Sequence, residues 1–316
     1  MKKIILFSII AVFTAALVYS SKSVFAFIKT EAGRIAKVRA EAARDKETAA
    51  RRRAAWDRLR SGVAKEAKGL NGTAGIVIID LDKKWEISAN KDLRIPAASM
   101  VKIPIMMSYF YAAKEGKVDL GSGIEIRNSE KAPGSGTLKN EIPGKEYTVE
   151  DLIYRMVTES DNTATNMLIG RIGFDALNGY FAKLGAGKTD LKRKMMDFRL
   201  RRSGVENYTT AGDMAYLLEK LYRGRFIDAG TSQRCVEILA RQKMKDRIPR
   251  KLPGDVVVAH KTGLENGLCH DAGIVYTDKG DFLICVLTKH RNKSAREAKG
   301  VIADIALLTY NYYSEF

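Results

Sequence analysis

The sequence has 316 residues, with 54 Lys and Arg against 37 Asp and Glu, so its formal net charge at neutral pH is +17. A content of 46% hydrophobic residues with only six prolines and three cysteines excludes a collagen-like chain, a disulfide-rich miniprotein and a disordered protein. A single long apolar stretch, near the start, excludes a polytopic membrane protein. The length predicts about two domains or lobes.

The first 26 residues predict an export signal. Two lysines precede an apolar run over residues 4–18, and residues 24–26 have the small or branched side chains that a signal peptidase site requires. We expect cleavage after Ala26. An uncleaved membrane anchor is the alternative, because the run is only slightly shorter than the roughly 20 residues of a spanning helix. Both interpretations predict an exported protein, periplasmic or extracellular.

Residues 27–68 predict a solvated helix, since they contain no proline and carry 13 basic against 6 acidic side chains. We interpret residues 27–55 as a basic spacer that holds the following domain away from the membrane. Association with an anionic membrane or cell-wall polymer is the alternative. No nucleic-acid partner is expected, because the basic residues are not interleaved with aromatic ones.

The remaining chain shows strand patterns near both of its ends. Alternating or β-branched runs predict strands at 74–82, 85–89, 256–259, 272–276 and 282–288. Helical periodicity predicts helices at 99–114, 149–158, 163–172, 210–222, 232–242 and 294–313. The fold class is therefore α+β, an antiparallel sheet formed from both chain ends, flanked by helices, with an inserted helical lobe.

These elements define one predicted domain over residues 56–316. Its α/β lobe comprises residues 56–96 and 246–316, and its helical lobe comprises residues 97–245.

Ser99 and Lys102 form an SxxK pattern at the start of an apolar helix. Residues three apart lie one turn apart on the same face. A lysine can activate a serine hydroxyl when burial or nearby charge lowers the pKa of its amine. The apolar residues 103–110 require burial, which predicts Lys102 at the edge of a core. An exposed lysine is the alternative, since Ser88 and Lys91 match the same pattern in a predicted hairpin.

Two further motifs combine polar groups suited to binding and proton transfer. Ser160-Asp161-Asn162 lies between two predicted helices, where a hydroxyl can relay a proton and an amide can bind a substrate. An ordinary helix cap is the alternative. Lys261-Thr262-Gly263 is predicted to end the strand that contains residues 256–259, where an ammonium group and a hydroxyl can bind a carboxylate. A solvated lysine at a strand end is the alternative.

The order Ser99, Ser160, Lys261 resembles the SxxK, SDN and KTG set of class A β-lactamases and penicillin-binding proteins. One such tripeptide arises by chance in about one chain of this length in 25, but the ordered set is far rarer. The resemblance covers about residues 56–316, with supporting stretches at 134–138, 209–215, 258–263 and 271–276.

The resemblance implies a catalytic role for three side chains. Ser99 would be the acylated nucleophile, Lys102 its base or proton shuttle, and Ser160 would pass a proton to the departing nitrogen. No metal or cofactor is expected, because the three histidines show no clustered ligand spacing.

The resemblance also implies binding roles. Asn162 would hold the substrate amide, while Lys261 and Thr262, followed by Gly263, would bind its carboxylate. The backbone N–H groups of the nucleophile and of Leu264 would form the oxyanion hole. The expected partner is a small β-lactam or D-alanyl peptide, bound by a monomer.

One departure from the class A pattern concerns release of the acyl group. Class A enzymes carry a glutamate that activates the hydrolytic water, whereas the corresponding residues 192–202 contain none. Asp197 is the only carboxylate there and becomes the candidate base; Glu206 is predicted to lie beyond this loop. No arginine is evident on the strand after Gly263, where many members place a second carboxylate contact.

Three functions follow from these motifs. The first is a β-lactam hydrolase that works through an acyl-serine intermediate. The second is a D-alanyl peptidase or penicillin-binding protein with slow deacylation, which the missing glutamate suggests. The third is a wall- or membrane-binding module with vestigial motifs, against which the intact Ser99 and Lys102 argue.

Overall fold

A computed structural model describes the backbone of residues 2–316 and the side chains from residue 18 onward. Residues 1–17, which form most of the predicted export signal, therefore lie outside the part of the chain whose side chains are described. The chain divides into two compact units, residues 1–58 and 59–316. Over the part of the chain that was described, no helix is both long and apolar enough to cross a membrane.

Helix α1 (Lys2–Gly69) includes the basic helix predicted over residues 27–68. Nearly all side chains of residues 18–50 are exposed, as the charge pattern predicts. Alanine, arginine, lysine and glutamate, which have high helix propensity, dominate this part of the helix. Ion pairs one turn apart, such as Arg34 with Glu31, add a small stabilisation.

The second unit contains a five-stranded antiparallel sheet in the order β2-β1-β9-β8-β7, together with two short strand pairs, β3–β6 and β4–β5. The strands are β1 (Gly72–Asp80), β2 (Glu86–Ala89), β3 (Ile95–Pro96), β4 (Gly123–Glu125), β5 (Glu146–Thr148), β6 (Tyr208–Thr209), β7 (Val258–Glu265), β8 (Leu268–Val275) and β9 (Phe282–His290). The main sheet thus combines strands from both ends of the unit, which confirms the predicted α+β fold.

Helices fill the sequence between these strands and follow the last one. They are α2 (Lys102–Lys114), α3 (Val149–Thr158), α4 (Asn162–Ile172), α5 (Phe174–Leu184), α6 (Phe198–Arg202), α7 (Ala211–Tyr222), α8 (Ala229–Ala240) and α9 (Arg296–Ser314). The predicted helical lobe is thus mainly helical, and the short strand pairs are additions that the sequence did not indicate. Two- and three-residue strands are too short to produce a readable alternation.

Helices cover both faces of the sheet. On β9, Phe282 stacks on Tyr313 of α9, with ring centroids 5.3 Å apart. The alternate residues Leu283 and Leu287 face the opposite side and join the core formed by α2 and α7. Because both faces are covered, β8 buries every side chain along its length.

One strand boundary differs from its prediction. Strand β7 runs from Val258 to Glu265, so Lys261, Thr262 and Gly263 lie on the strand, as predicted, but inside it and not at its end. The buried polar residues from His260 onward interrupt the apolar pattern, although pairing with β8 continues through them. The strand therefore begins two residues later than predicted and continues beyond the motif.

Candidate active site

Ser99 lies in a short 3₁₀ turn, Ala98–Val101, that leads into α2. In a 3₁₀ turn, side chains three residues apart are nearly eclipsed, so Ser99 and Lys102 share one side of the chain. Ala98 has a φ angle of 44°, in the left-handed region that is strained for a residue with a Cβ atom. The turn therefore orients the serine through a backbone conformation that the surrounding core must hold in place.

The three motifs meet around the hydroxyl group of Ser160. Nζ of Lys102 lies 3.1 Å from Ser160 Oγ and 2.7 Å from Ser160 O, and it also donates to Asn162 Oδ1 at 2.9 Å. Nζ of Lys261 lies 2.9 Å from the same Ser160 Oγ. One hydroxyl thus links two lysines that belong to different lobes of the fold.

Both lysine side chains are fully buried, which lowers the pKa of each amine. Burial lowers the pKa of Lys102 to about 7, although the carboxylates of Asp161 and Glu265 favour its charged form. The pKa of Lys261 lies well below its usual value because of burial and because of the positive charges of Lys102 and Arg247. A neutral amine near physiological pH is therefore available to accept a proton.

Asp161 is the member of the SDN motif that caps a helix. Its carboxylate is fully buried and accepts from Ala164 N in the first turn of α4, with Oδ1 2.9 Å from the nitrogen. Its Oδ2 accepts from Leu138 N at 2.9 Å. The capping interpretation thus holds for Asp161, and the catalytic interpretation concerns its neighbours Ser160 and Asn162.

The segment 134–138 fits closely around this motif. Gly136 has a φ angle of 93°, and a Cβ atom there would lie 2.1 Å from the Asp161 carboxyl carbon. Asn162 Nδ2 donates to Pro133 O at 2.9 Å. These contacts hold the Asn162 amide in one orientation, with its oxygen toward Lys102 and its nitrogen toward the segment.

Gly263 joins the KTG strand to the turn that carries the nucleophile. A Cβ atom at Gly263 would lie 3.0 Å from His270 Cδ2 and 3.4 Å from Met100 Cγ. An added Cβ atom would therefore crowd His270, and it would be in van der Waals contact with Met100, the neighbour of Ser99. The side chain of Leu264 is half exposed, and its predicted role depends only on its backbone N–H.

A buried ion pair closes the loop between Arg193 and Glu206, hereafter the 193–206 loop. The two side chains are 1% and 8% exposed, and Arg193 Nη2 lies 2.6 Å from Glu206 Oε1. Arg201 Nη1 in turn lies 2.9 Å from Oε2 of Glu265, at the end of β7. Glu206 lies beyond residues 192–202, and its ion pairs anchor the end of the 193–206 loop.

The amide of Asn166 fixes the interior of the same loop. Its Oδ1 accepts from Met195 N at 2.8 Å, and its Nδ2 donates to Met195 O at 3.3 Å. The backbone held here therefore belongs to a methionine, whose side chain is apolar. Asp197, the predicted base, caps α6 by accepting from Leu200 N, with Oδ1 3.0 Å from the nitrogen. Its role as a base stays a prediction.

Arg247 is a candidate binding residue that the sequence did not reveal. It is 2% exposed, donates from Nε to Cys269 Sγ at 3.3 Å, and contributes to the lowered pKa of Lys261. Many family members place a second cation on the strand after the residue that corresponds to Gly263, whereas Arg247 precedes β7 in the chain. No recognisable motif surrounds Arg247 in the sequence, so pattern analysis could not identify it as a binding residue.

A buried pair between β7 and β8 holds the segment that carries Arg247. His260 Nδ1 lies 2.9 Å from Asp271 Oδ1, and Asp271 Oδ2 accepts from Ile248 N at 3.1 Å. The carboxylate thus ties the residue after Arg247 to the residue before Lys261. The segments that carry Arg247 and Lys261 are therefore joined through one buried carboxylate.

The order of these motifs along the chain, and their meeting around Ser160, are those expected for a serine acyl-transfer site of the penicillin-recognising class. The β-lactamase enzyme family matches residues 58–313. The chain therefore belongs to this family.

Known relatives agree with this assignment. β-Lactamase VEB-1 of Pseudomonas aeruginosa is 25% identical over 276 residues, which cover 81% of this chain and 91% of the relative. The crystal structure of a β-lactamase from Sphaerobacter thermophilus is 33% identical, with a TM-score of 0.75, and the match covers 81% of this chain and 97% of that one. The structure of PBP-A is 28% identical, with a TM-score of 0.75, over 82% of this chain and 97% of that one.

Proposed function

We propose that this protein opens the amide bond of β-lactams through a covalent acyl-enzyme on Ser99. The observation that carries the proposal is the buried Lys102–Ser160–Lys261 hydrogen-bonded cluster, one turn along the chain from Ser99. An acyl-enzyme complex with penicillin G has been described for a single-residue mutant of PBP-A, whose structure has a TM-score of 0.76 with this chain. A β-lactam is therefore the substrate class that the relatives support.

Acylation begins with a proton transfer. The neutral amine of Lys102 takes the proton of the Ser99 hydroxyl, and the serine oxygen attacks the β-lactam carbonyl carbon. The negative charge on the carbonyl oxygen is stabilised by the backbone N–H groups of Ser99 and Leu264. When the carbon–nitrogen bond breaks, Ser160 donates its proton to the departing nitrogen and regains one from the adjacent ammonium group.

Substrate orientation uses the remaining polar groups of the cluster. Asn162 presents its amide toward the substrate amide, and Lys261 with Thr262 binds the substrate carboxylate. Arg247, whose positive charge acts on Lys261 and whose Nη1 lies 3.0 Å from Asp246 Oδ1, is assigned as a second cation for the same carboxylate. Without a substrate, the protein buries positive charges that repel each other. A bound carboxylate offsets this repulsion, which favours substrate binding.

Deacylation requires a base that activates water. Asp197 is the candidate in the 193–206 loop, and attack of the activated water on the acyl carbonyl would release the opened product and restore the Ser99 hydroxyl. The residue that Asn166 holds toward the interior is Met195, which cannot act as a base. We therefore propose a hydrolase whose release step is slower than its acylation step.

A labelled penicillin tests this function directly. The wild-type protein should acquire the label rapidly and lose it more slowly, and Ser99→Ala should acquire none. Ser88→Ala is the matched control, because Ser88 is exposed and belongs to the second SxxK pattern. Equal labelling of wild type and Ser99→Ala would contradict the proposal, and a label that never leaves would indicate a penicillin-binding protein.

We also propose that residues 1–26 direct export, that residues 27–55 act as a spacer, and that residues 56–316 work as a monomeric catalytic domain outside the cytoplasm. The basic start, the apolar run and the exposed, charged surface of α1 support this division. Mass spectrometry of the exported protein tests it. A mature chain that begins at Phe27 is expected, and an intact start at Met1 would contradict cleavage.

A further inference from the structure

The carboxylate of Asp271 is buried on β8, beside the strand that carries the KTG motif. Asp271 is fully buried, and its partner in the register of β7 and β8 is Thr262. Residues paired directly across two strands, and residues two apart along one strand, lie on the same face of a sheet. Asp271, Thr262 and His260 therefore share one face, and His260 Nδ1 lies 2.9 Å from Asp271 Oδ1.

The same face holds both the backbone and the side chain of the Arg247 segment. Asp271 Oδ2 accepts from Ile248 N at 3.1 Å, which fixes the backbone next to Arg247. The guanidinium group of Arg247 donates from Nε to Cys269 Sγ at 3.3 Å. Cys269 precedes Asp271 by two residues on β8 and so lies on its face of the sheet. The position of Arg247 therefore depends on the part of β8 that contains Asp271.

Asp271 also supplies a negative charge among buried cations. Burial lowers the pKa of Lys261 most, and the positive charges of Lys102 and Arg247 lower it further. The negative charge of Asp271 acts in the opposite direction and favours the ammonium form of Lys261. Burying a carboxylate is unfavourable unless it is paired, so its presence here calls for a compensating benefit. Stabilising cations that bind an anionic substrate is such a benefit.

We propose that Asp271 is a positioning residue for substrate recognition, which holds Arg247 where its guanidinium group can bind the carboxylate of the substrate. This role rests on the proposed β-lactam hydrolase function and adds a determinant of its specificity. Asp271 is fully buried and acts through Arg247 without touching the substrate. Because only one group of the substrate is involved, loss of Asp271 should affect substrates that carry a carboxylate and spare those that do not.

Two chromogenic β-lactams that differ only in a free or a methyl-esterified carboxylate separate recognition from folding. For Asp271→Ala, kcat/KM with the free acid should fall about ten-fold or more, while kcat/KM with the ester should change less than about three-fold. Asp80→Ala is the matched control, because Asp80 is buried and accepts from the backbone N–H groups of Asp82 and Lys83. It lies on β1, which β9 separates from β8, so its loss should affect both substrates equally.

Two further variants test the route through Arg247. Asp271→Asn should recover part of the loss, since its amide oxygen can still accept from Ile248 N. In the Arg247→Ala background, Asp271→Ala should add little, so that the combined loss is smaller than the product of the two single losses. If Asp271→Ala does not fold, Asp271→Ser takes its place, because a serine hydroxyl is too short to reach Ile248 N.

Equal losses with the free acid and the ester would overturn the proposal, because Asp271 would then support the fold and not the recognition of a carboxylate. Single losses that multiply in the double variant would also overturn it, since the two residues would then act independently. A wild-type protein that no labelled penicillin acylates would instead contradict the proposed function, so the two failures are distinguishable.

Discussion

The amino group of Lys261 donates a hydrogen bond to the hydroxyl of Ser160 across 101 residues of sequence, with the two atoms 2.9 Å apart. Lys102 lies 3.1 Å from the same oxygen and donates to it as well. Because a hydroxyl has one proton and two lone pairs, it can accept from both amino groups and give its own proton to a third atom. This is the arrangement that a proton relay to a departing nitrogen requires.

The acylation rate should rise with pH through about pH 7. Burial lowers the pKa of Lys102 to about 7, and only its neutral form can take the proton from Ser99. Below that pKa the neutral fraction, and with it the rate, falls about ten-fold per pH unit. Stopped-flow acylation with a chromogenic β-lactam measures the profile, and a rate independent of pH between about pH 5 and about pH 8 would contradict it.

Lys102→Arg provides the matching substitution. Arginine keeps its charge throughout this range, so acylation should fall by about 10²- to 10⁴-fold. Lys91→Arg is the control, because Lys91 occupies the equivalent place in the second SxxK pattern and forms an exposed ion pair with Glu86. Loss of activity in both variants would indicate a general effect on folding and not the loss of a base.

Arg247→Ala should weaken the binding of substrates that carry a carboxylate. A hydrogen bond to a charged group contributes about 1.5–3 kcal/mol, so kcat/KM should fall about 10- to 100-fold, mainly through KM. A substrate analogue with the carboxylate esterified should respond much less. Arg250→Ala is the control, since Arg250 lies in the exposed part of the following 3₁₀ turn. An equal loss with the ester would assign Arg247 a purely structural role.

Asp197→Asn should slow release of the acyl group without slowing its formation. Asparagine is as good a helix cap as aspartate, so the contact with Leu200 N is kept while the carboxylate base is removed. Single-turnover experiments followed by mass spectrometry separate the two steps. A release rate equal to that of the wild type would show that Asp197 is not the base.

Gly263→Ala should lower kcat by displacing the nucleophile. The added Cβ atom would lie 3.0 Å from His270 Cδ2, closer than ordinary van der Waals contact, so His270 must shift. Because His270 Nε2 lies 2.9 Å from Pro96 O, three residues before Ser99, that shift should reach the turn that carries the nucleophile. Such overpacking costs about 1–3 kcal/mol. Gly254→Ala is the control, since its Cβ would meet nothing within 4 Å. Wild-type kcat in Gly263→Ala would mean that the strand and the turn move independently.

Glu206→Gln should destabilise the fold through the 193–206 loop. The substitution leaves the buried Arg193 without its closest carboxylate, and breaking a buried ion pair costs about 3–5 kcal/mol. Glu86→Gln, which removes an exposed ion pair, should cost less than about 1 kcal/mol. Urea unfolding measures both values, and equal midpoints for the two variants would contradict a role for Glu206 as an anchor.

Several features of the site could be predicted because they are local. The apolar run after Lys102 requires a buried helix, and the polar triplet at residues 160–162 requires a junction between helices. The limits of β7 could not be predicted, because its polar residues are buried by neighbours that come from distant parts of the chain. Pattern analysis within a short window does not contain those neighbours.

By itself the sequence determined the chemical groups, their order and the elements that carry them, because helical and strand periodicity are properties of short segments. Only the tertiary structure decided that the charge of Arg247 acts on Lys261, that Asn166 holds Met195 in the 193–206 loop, and that Arg201 pairs with Glu265 at the end of β7. These contacts arise where sheet and helices pack together. Their partners are far apart along the chain, so no local pattern specifies them.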